Sequence, residues 1–326
     1  MMIALFASTF VITIAGMTAP ASAQGKIELK LAEYWGKGYP TTDGDEEFAR
    51  LVEKYTNGRI HITVYAGGQL GDEKPVVEQV KMGAIDFARI SLAPVTQFAP
   101  ELNVLTLPFI YRDDTHKWKV LSGPVGKELL NAVDKANMIG LCYYDSGSRS
   151  FYNTKHEIKT PADMKGLKIR VQESKLMMGL VKCLGASPTP MAMGDVYSAL
   201  QTNIIDGAEN NWPSYITGSH YEVGKFYTVD RHVSIPEIVV ASKLTVGKLS
   251  PADRKIIEKA AAESVEYQKK QWAKADKDCE AKAKAKGCKI TYLTPAQSAL
   301  FQKAVMPLYD DYKQYSALIK RIQGVK

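Results

Sequence analysis

In the stretch Lys26-Ile27-Glu28-Leu29-Lys30-Leu31, the apolar residues Ile27, Leu29 and Leu31 fall on one face of a period-two pattern, which predicts a β-strand. The spacing turns helical at Phe48, Leu51, Val52 and Tyr55, with Thr42 and Asp43 as capping candidates. Asn57-Gly58 breaks that helix, and Ile60, Ile62 and Val64 alternate again. A second helix is expected from Asp72 to Met82, stopped at Gly83, and Ile85 to Ser91 reads as a third strand. Strands alternating with helices at this spacing predict an α/β fold with a mainly parallel sheet covered on both faces.

The same grammar returns in the second half. Leu167 to Val171 reads as a strand, Ser174 to Leu184 as a helix closed by Gly185, Asp195 to Thr202 as another helix, and Ile204 to Glu209 as a strand. Two α/β units are therefore expected. A local echo links them: Val80-Lys81-Met82-Gly83-Ala84-Ile85-Asp86 and Leu200-Gln201-Thr202-Asn203-Ile204-Ile205-Asp206 share a helix end, a Gly or Asn stop suited to left-handed backbone, and an Ile-Asp strand entry. After Pro236, Ile238 to Ala241 is another strand, and Ser250-Pro251 starts a helix pattern that runs to Lys286 before Gly287. At the α-helical rise per residue that helix measures about 50 Å, longer than one small lobe and sufficient to span two.

The chain of 326 residues is 45% hydrophobic and 24% charged, a composition that suits one large or two medium domains and excludes a disordered chain. Its long apolar stretch, Ile3 to Met17, is followed by Ala21-Ser22-Ala23, a small-residue cleavage signature. Residues 1–23 are read as an export signal cleaved after Ala23, which places the mature protein outside the cytoplasm. The net charge of +7 is concentrated between Lys243 and Lys289, where 13 basic residues face 7 acidic ones within the long helix pattern. That is a solvated helix face. Neither zinc-finger spacing nor an aromatic-rich basic stripe accompanies it, so nucleic acid is not expected as a partner.

No phosphate loop, dinucleotide fingerprint, HExxH or CxxC occurs, and the five histidines are scattered. Ser146-Gly147-Ser148-Arg149 is not a nucleophile elbow. A binding function is therefore expected rather than an enzyme, with no cofactor and no metal; a secreted hydrolase lacking a recognisable motif is the alternative from another class. Cys142, Cys183, Cys279 and Cys288 permit three pairings, and Cys279 with Cys288 would close a short loop at the end of the long helix.

Within the strand Leu167 to Val171, Ile169 and Val171 face one way and Lys168 and Arg170 the other. A strand expected to be buried thus carries a guanidinium near its carboxyl end, where open α/β sheets bind ligands. Aided by Arg149, Arg170 offers planar bidentate geometry to a carboxylate, and the competing reading is a pair of ordinary arginines matched to Asp or Glu.

The run from Met164 to Arg170, the stretch Gly185-Ala186-Ser187-Pro188-Thr189-Pro190-Met191, and the segments Val196 to Asn203 and Asp206 to Asn210 together resemble the solute-binding proteins of tripartite ATP-independent periplasmic (TRAP) transporters. Gln69-Leu70-Gly71-Asp72-Glu73 and Leu107-Pro108-Phe109 extend the resemblance over nearly the whole mature chain. It implies a periplasmic binding protein of two α/β lobes joined by crossing strands and a long helix: residues 24–146 with 236–275 as the first lobe, 147–235 with 276–326 as the second. The crossings near Tyr144 to Gly147 and Ser234 to Glu237, together with the long helix after Ser250, would form the hinge set.

The resemblance also implies roles. Arg170 matches the carboxylate-clamping arginine, Arg149 an auxiliary arginine and Asn210 an asparagine that hydrogen-bonds the ligand. Glu73 matches an acidic pocket position, Ser91 a position on the third strand with Arg89 on the same face, and Met193 a position that is Phe in sialic-acid binders. Asn210-Asn211-Trp212-Pro213-Ser214-Tyr215 is similar to the hexuronate subgroup. The expected ligand is D-glucuronate or D-galacturonate, delivered by a monomer to the membrane subunits of a TRAP permease; a C4-dicarboxylate or 2-oxo acid is the alternative. Hydroxyl partners would be Glu73, Ser91, Asn210 and Asn211, with Trp35 or Trp212 against the sugar face and Glu237 lining the cleft or holding a cation.

Overall fold

The computed structural model describes residues 25–326, so the export-signal segment lies outside the described residues. Two sheets carry the architecture. The first has the order β2-β1-β3-β10-β4, built from Ile60–Tyr65 (β2), Ile27–Ala32 (β1), Phe87–Ser91 (β3), Glu237–Ser242 (β10) and Met138–Tyr144 (β4). The second has the order β11-β9-β5-β8-β6-β7, built from Lys289–Tyr292 (β11), Phe226–Val233 (β9), Arg149–Asn153 (β5), Gly207–Asn210 (β8), Lys168–Val171 (β6) and Ser187–Pro190 (β7).

Neither sheet is as parallel as the strand-helix alternation predicts. β10 runs antiparallel to both β3 and β4, and β5 runs antiparallel to both β8 and β9. The cause is topological: β4 leads into β5 and β9 leads into β10 by short crossings between the sheets, so each returning strand enters from the opposite end. This insertion fixes the site. Glu237, the first residue of β10, pairs with Ser91, the last of β3, and Ser150 of β5 pairs with Asn210, the last of β8. Entry residues of antiparallel strands and exit residues of parallel strands therefore share one edge.

The first helix, α1, spans Pro40–Tyr55 and starts earlier than Thr42 and Asp43 predict. Pro40 occupies the first turn, where its fixed φ suits the helix and its missing N–H costs nothing, and Thr41, Thr42 and Asp45 are buried behind it. Phe48 of α1 meets Phe87 of β3 edge to face at 5.6 Å, both fully buried; truncating either to Ala costs about 3–5 kcal/mol. The second helix, α2, spans Glu73–Lys81.

The long helix spans Pro251–Ala285, 35 residues, opened by Ser250 Oγ accepting from Asp253 N at 3.1 Å. It crosses from the first sheet, where Ile257, Ala260 and Ala261 join the core under α1, to the second, where Ala283 packs with Trp212 and Tyr215. At the crossover Gly44 of α1 is indispensable, because a Cβ there would stand 2.7 Å from Gln268 Cγ and 2.9 Å from the Tyr144 ring. The C-terminal segment reaches both halves: Phe301 and Leu308 share a core with Leu176 and Leu180, and Arg112 donates to the Gln323 carbonyl at 2.9 Å. All four cysteines are free thiols; the loop closed by Cys279 and Cys288 does not form, and Cys288 Sγ instead accepts from Tyr215 Oη at 3.2 Å.

Candidate functional site

The carboxyl ends of the parallel strands in the two sheets face each other across a cleft. From the first sheet come Tyr34, Trp35, Tyr39, Asp72, Glu73, Lys74, Arg89, Ser91 and Glu237; from the second come Arg149, Arg170, Gln172, Glu173, Met191, Met193, Asn210, Asn211 and Ser214. Ten of the eleven residues singled out in the sequence line this cleft. Trp212 is the exception and is a correction: it stacks on Tyr227 with centroids 3.7 Å apart, is buried, and borders a separate crevice beside the long helix. Its neighbour Pro213 opens a short helix that turns the indole inward, away from the cleft.

The cleft cations differ in what already holds them. Arg149 is matched to a carboxylate: Nε and Nη2 grip the Glu209 carboxylate, Nη2 also donates to the Glu209 carbonyl at 2.7 Å, and Nη1 donates to Asn210 Oδ1 at 2.8 Å, so four of its five N–H groups are used. Behind it, His232 donates to Asp230 at 2.9 Å and faces Glu209 Oε2 at 3.6 Å, an ion-pair distance. Burial alone lowers the imidazole, and the two carboxylates outweigh it, raising His232 to about 9. Burial raises Glu209, and Arg149 with His232 more than reverses this, holding it at about 2.

Arg89 is equally occupied. Nε donates to Glu33 Oε2 at 2.7 Å, Nη2 to Glu33 Oε1, and Nη1 to both Glu73 at 2.9 Å and Glu237 at 2.8 Å. Among the described residues, the cation paired with Glu237 is this guanidinium. Burial pushes Glu237 up, Arg89 opposes and Glu73 adds, leaving it at about 7.

Arg170 is different. It is buried on β6, and both Nε and Nη2 donate to the Met191 carbonyl, at 2.9 and 2.7 Å. This fixes the guanidinium plane while leaving the Nη1–Nη2 edge unclaimed. Among the described residues lining the cleft, Arg170 is the one Arg or Lys without a carboxylate partner. Burial lowers its pKa, Glu209 opposes and Arg149 adds to the lowering. A buried cation with no counter-ion carries an unbalanced desolvation cost that an incoming carboxylate relieves.

The remaining polar groups are partly committed. Asn211 Oδ1 caps the following helix through Ser214 N at 2.8 Å, and Asn210 Oδ1 accepts from Arg149 while its amide group reaches only Met193 Sδ at 3.7 Å. Trp35 stacks on Tyr39 at 4.3 Å. Four contacts cross the cleft: Gln172 Nε2 to Ser91 Oγ at 2.8 Å, Gln97 Nε2 to the Glu173 carbonyl at 2.6 Å, Lys74 to Glu173 at 3.5 Å, and Tyr39 Oη with Ser214 Oγ at 2.9 Å. The sequence reading did not single out Tyr34, Tyr39, Gln172 or Glu33. Tyr34 and Glu33 follow the end of β1, and Gln172 follows β6, so position just past a parallel strand was the available signal.

The profile of the family "Bacterial extracellular solute-binding protein, family 7" matches residues 31–315. The chain belongs to this family. A solute-binding protein of Chromohalobacter salexigens is 37% identical over 276 residues, covering 85% of this chain and 82% of that one. Among solved structures, a TRAP periplasmic solute-binding protein of a Bradyrhizobium species, in complex with α/β-D-galacturonate, is 40% identical with a TM-score of 0.88 and covers 91% of this chain and 99% of its own. One from Roseobacter denitrificans, with bound β-D-glucuronate, is 36% identical with a TM-score of 0.89 and covers 92% of this chain and 100% of its own. The cleft of this family 7 protein thus lies between two sheets in a fold shared with TRAP solute-binding proteins, and its open guanidinium edge is the feature that an organic anion would recognise.

Proposed function

We propose that this protein binds a hexuronate, D-glucuronate or D-galacturonate, in the cleft and delivers it in the periplasm to the membrane subunits of a TRAP permease, acting as a monomer and leaving the sugar acid chemically unchanged. The observation that carries the reading is Arg170: a buried guanidinium, oriented by the Met191 carbonyl and free of any carboxylate, with two parallel N–H groups left for a planar anion. The uronate carboxylate seats on that edge. Its ring hydroxyls reach the Glu73 and Glu237 carboxylates, the Asn210 amide group and Ser91, and Trp35, held by Tyr39, offers an apolar face to the ring.

Residues 24–146 with 236–275 form one lobe and residues 147–235 with 276–326 the other, moving about the crossings after Tyr144 and before Glu237. The identities of galacturonate- and glucuronate-bound structures, 40% and 36%, support the ligand class. Calorimetric titration with glucuronate, galacturonate, succinate and pyruvate tests the reading. Binding confined to the uronates supports it; binding of succinate or pyruvate in preference to both uronates overturns it.

A further inference from the structure

The wall opposite Arg170 carries more negative charge than its guanidinium neutralises. Three carboxylates, Glu33, Glu73 and Glu237, converge on Arg89 alone. Glu33 lies fully buried behind the arginine and takes its Nε and Nη2 donors, so it faces protein and not solute. Glu73 and Glu237 share Nη1 and reach the cleft surface. Each keeps one carboxylate oxygen free: among the described residues, neither Glu73 Oε2 nor Glu237 Oε1 accepts a hydrogen bond.

Those two free oxygens set what the far end of a solute must be. They accept from hydroxyls. A carboxylate brought against them has no proton to donate and repeats the charge of Glu73 and, above about pH 7 where Glu237 ionises, of both, and like charges at contact in a partly dry site repel strongly. Among the described residues the cleft's other cations are already matched to carboxylates, Arg89 to Glu33, Glu73 and Glu237, Arg149 to Glu209, and Lys74 to Glu173 across the rim at 3.5 Å. Unpaired groups and repulsion against the wrong solute discriminate more sharply than extra contacts to the right one.

We infer that Glu73 and Glu237, held in place by Arg89, make this site selective for a polyol bearing a single carboxylate and reject the dicarboxylate of the same carbon skeleton. A hexuronate or hexonate is admitted; a hexarate, which carries a second carboxylate at the far end, is refused. The inference rests on the reading that Arg170 holds the first carboxylate. Glu33 acts here as a positioning residue, since it fixes Arg89 without reaching the cleft.

The test compares galacturonate, galactonate and galactarate by calorimetry at about pH 8, where Glu237 is ionised, the last two being open chains that differ only in whether the sixth carbon is a hydroxymethyl or a carboxylate. In the wild type, galactarate is expected to bind at least 100-fold more weakly than galacturonate, with galactonate much closer to galacturonate. In Glu237→Gln and in Glu73→Gln the galacturonate-to-galactarate gap is expected to narrow at least tenfold, whatever happens to each affinity alone. Circular dichroism checks folding, and Glu73, on the cleft rim, provides the variant less dependent on the buried network. Galactarate within tenfold of galacturonate in the wild type overturns the inference, as does an unchanged gap in both folded variants. Galactonate as weak as galactarate also overturns it, since chain shape and not charge would then be excluding both. Arg170→Lys is assayed alongside: full galacturonate affinity in that variant defeats the clamp itself, an outcome separate from any result on the gap.

Discussion

Gln172 donates from Nε2 to Ser91 Oγ at 2.8 Å, and this buried bond ties the end of β6 in one sheet to the end of β3 in the other. Ser91 is thus engaged from both sides, because its N–H also donates to Glu73 at 2.9 Å. The side-chain oxygen Gln172 Oε1 is buried without a partner, so the side chain already depends on this one bond. A bond between the two sheets would be lost if they moved apart, so in a hinged cleft it would favour the closed form and retention of solute.

Ser91→Ala removes the acceptor and strands the Gln172 amide, a loss of about 1–2 kcal/mol from the closed form. Uronate affinity should fall roughly tenfold, carried by faster dissociation rather than slower association. Stopped-flow displacement of bound uronate measures this directly. Dissociation at the wild-type rate would mean that the liganded form does not use the bond.

The two arginines of the second sheet should fail differently. Arg170→Ala removes an unpaired cation, so folding should survive while uronate binding drops by roughly 2–5 kcal/mol; Arg170→Lys should also fail, because an ammonium lacks the planar fork. Arg149→Ala instead strands the buried Glu209 carboxylate and should cost about 3–5 kcal/mol of stability. Urea denaturation beside calorimetry separates the outcomes. If Arg170→Ala unfolds and Arg149→Ala does not, the assignment of clamp and support is reversed.

His232 gives the second sheet a pH dependence whose sign is fixed by its neighbours: Asp230 on its own strand, Glu209 from β8 with Arg149 from β5 beyond it, and the stacked Phe151 ring at 4.2 Å. Its folded value of about 9 lies above the ordinary 6.5. The stabilisation is therefore complete below 6.5 and lost as pH rises through 9, amounting to about 2–4 kcal/mol. Melting temperatures between these limits should fall in the wild type and fall much less in His232→Gln. Parallel curves for the two proteins would remove His232 from the account.

Closure should be visible in solution. A uronate held by Arg170 on one side and Glu73 with Glu237 on the other contacts both lobes only when they are together, so it must favour the closed form. Small-angle scattering should record a smaller radius of gyration on adding galacturonate at saturation. An identical profile with and without sugar acid would indicate a rigid, pre-formed cleft.

Arg170 was legible because a charge at the end of an apolar strand breaks a pattern that buried strands otherwise keep, whereas Glu73 was placed in the pocket by the resemblance to TRAP solute-binding proteins alone. Glu33 and Asp45 were not legible. Glu33 acts on Arg89, 56 residues away, and Asp45 lies in the second turn of α1, yet both side chains are buried. Burial and neighbouring Glu33 raise the Asp45 carboxyl well above its usual range, a property no local spacing encodes. Trp212 misled for the opposite reason: an aromatic beside two asparagines suits a sugar site, but its ring direction depends on Tyr227, in a strand that the sequence pattern did not reveal. Strand direction escaped for a similar reason, since parallel and antiparallel pairings draw on the same residues and only the crossings decide between them.

The place of β10 has a consequence for timing. β1 to β4 are all made before Tyr144, but the strand that joins β3 to β4 runs from Glu237 to Ser242 and is synthesised only after most of the other sheet. Half-made, the chain has two pieces of a sheet with a gap between them and no way to close the core beneath. Such late, distant pairing makes folding slow. For a chain exported unfolded this delay would be a gain, because its own strand order would keep the emerging chain loose until nearly all of it had been delivered.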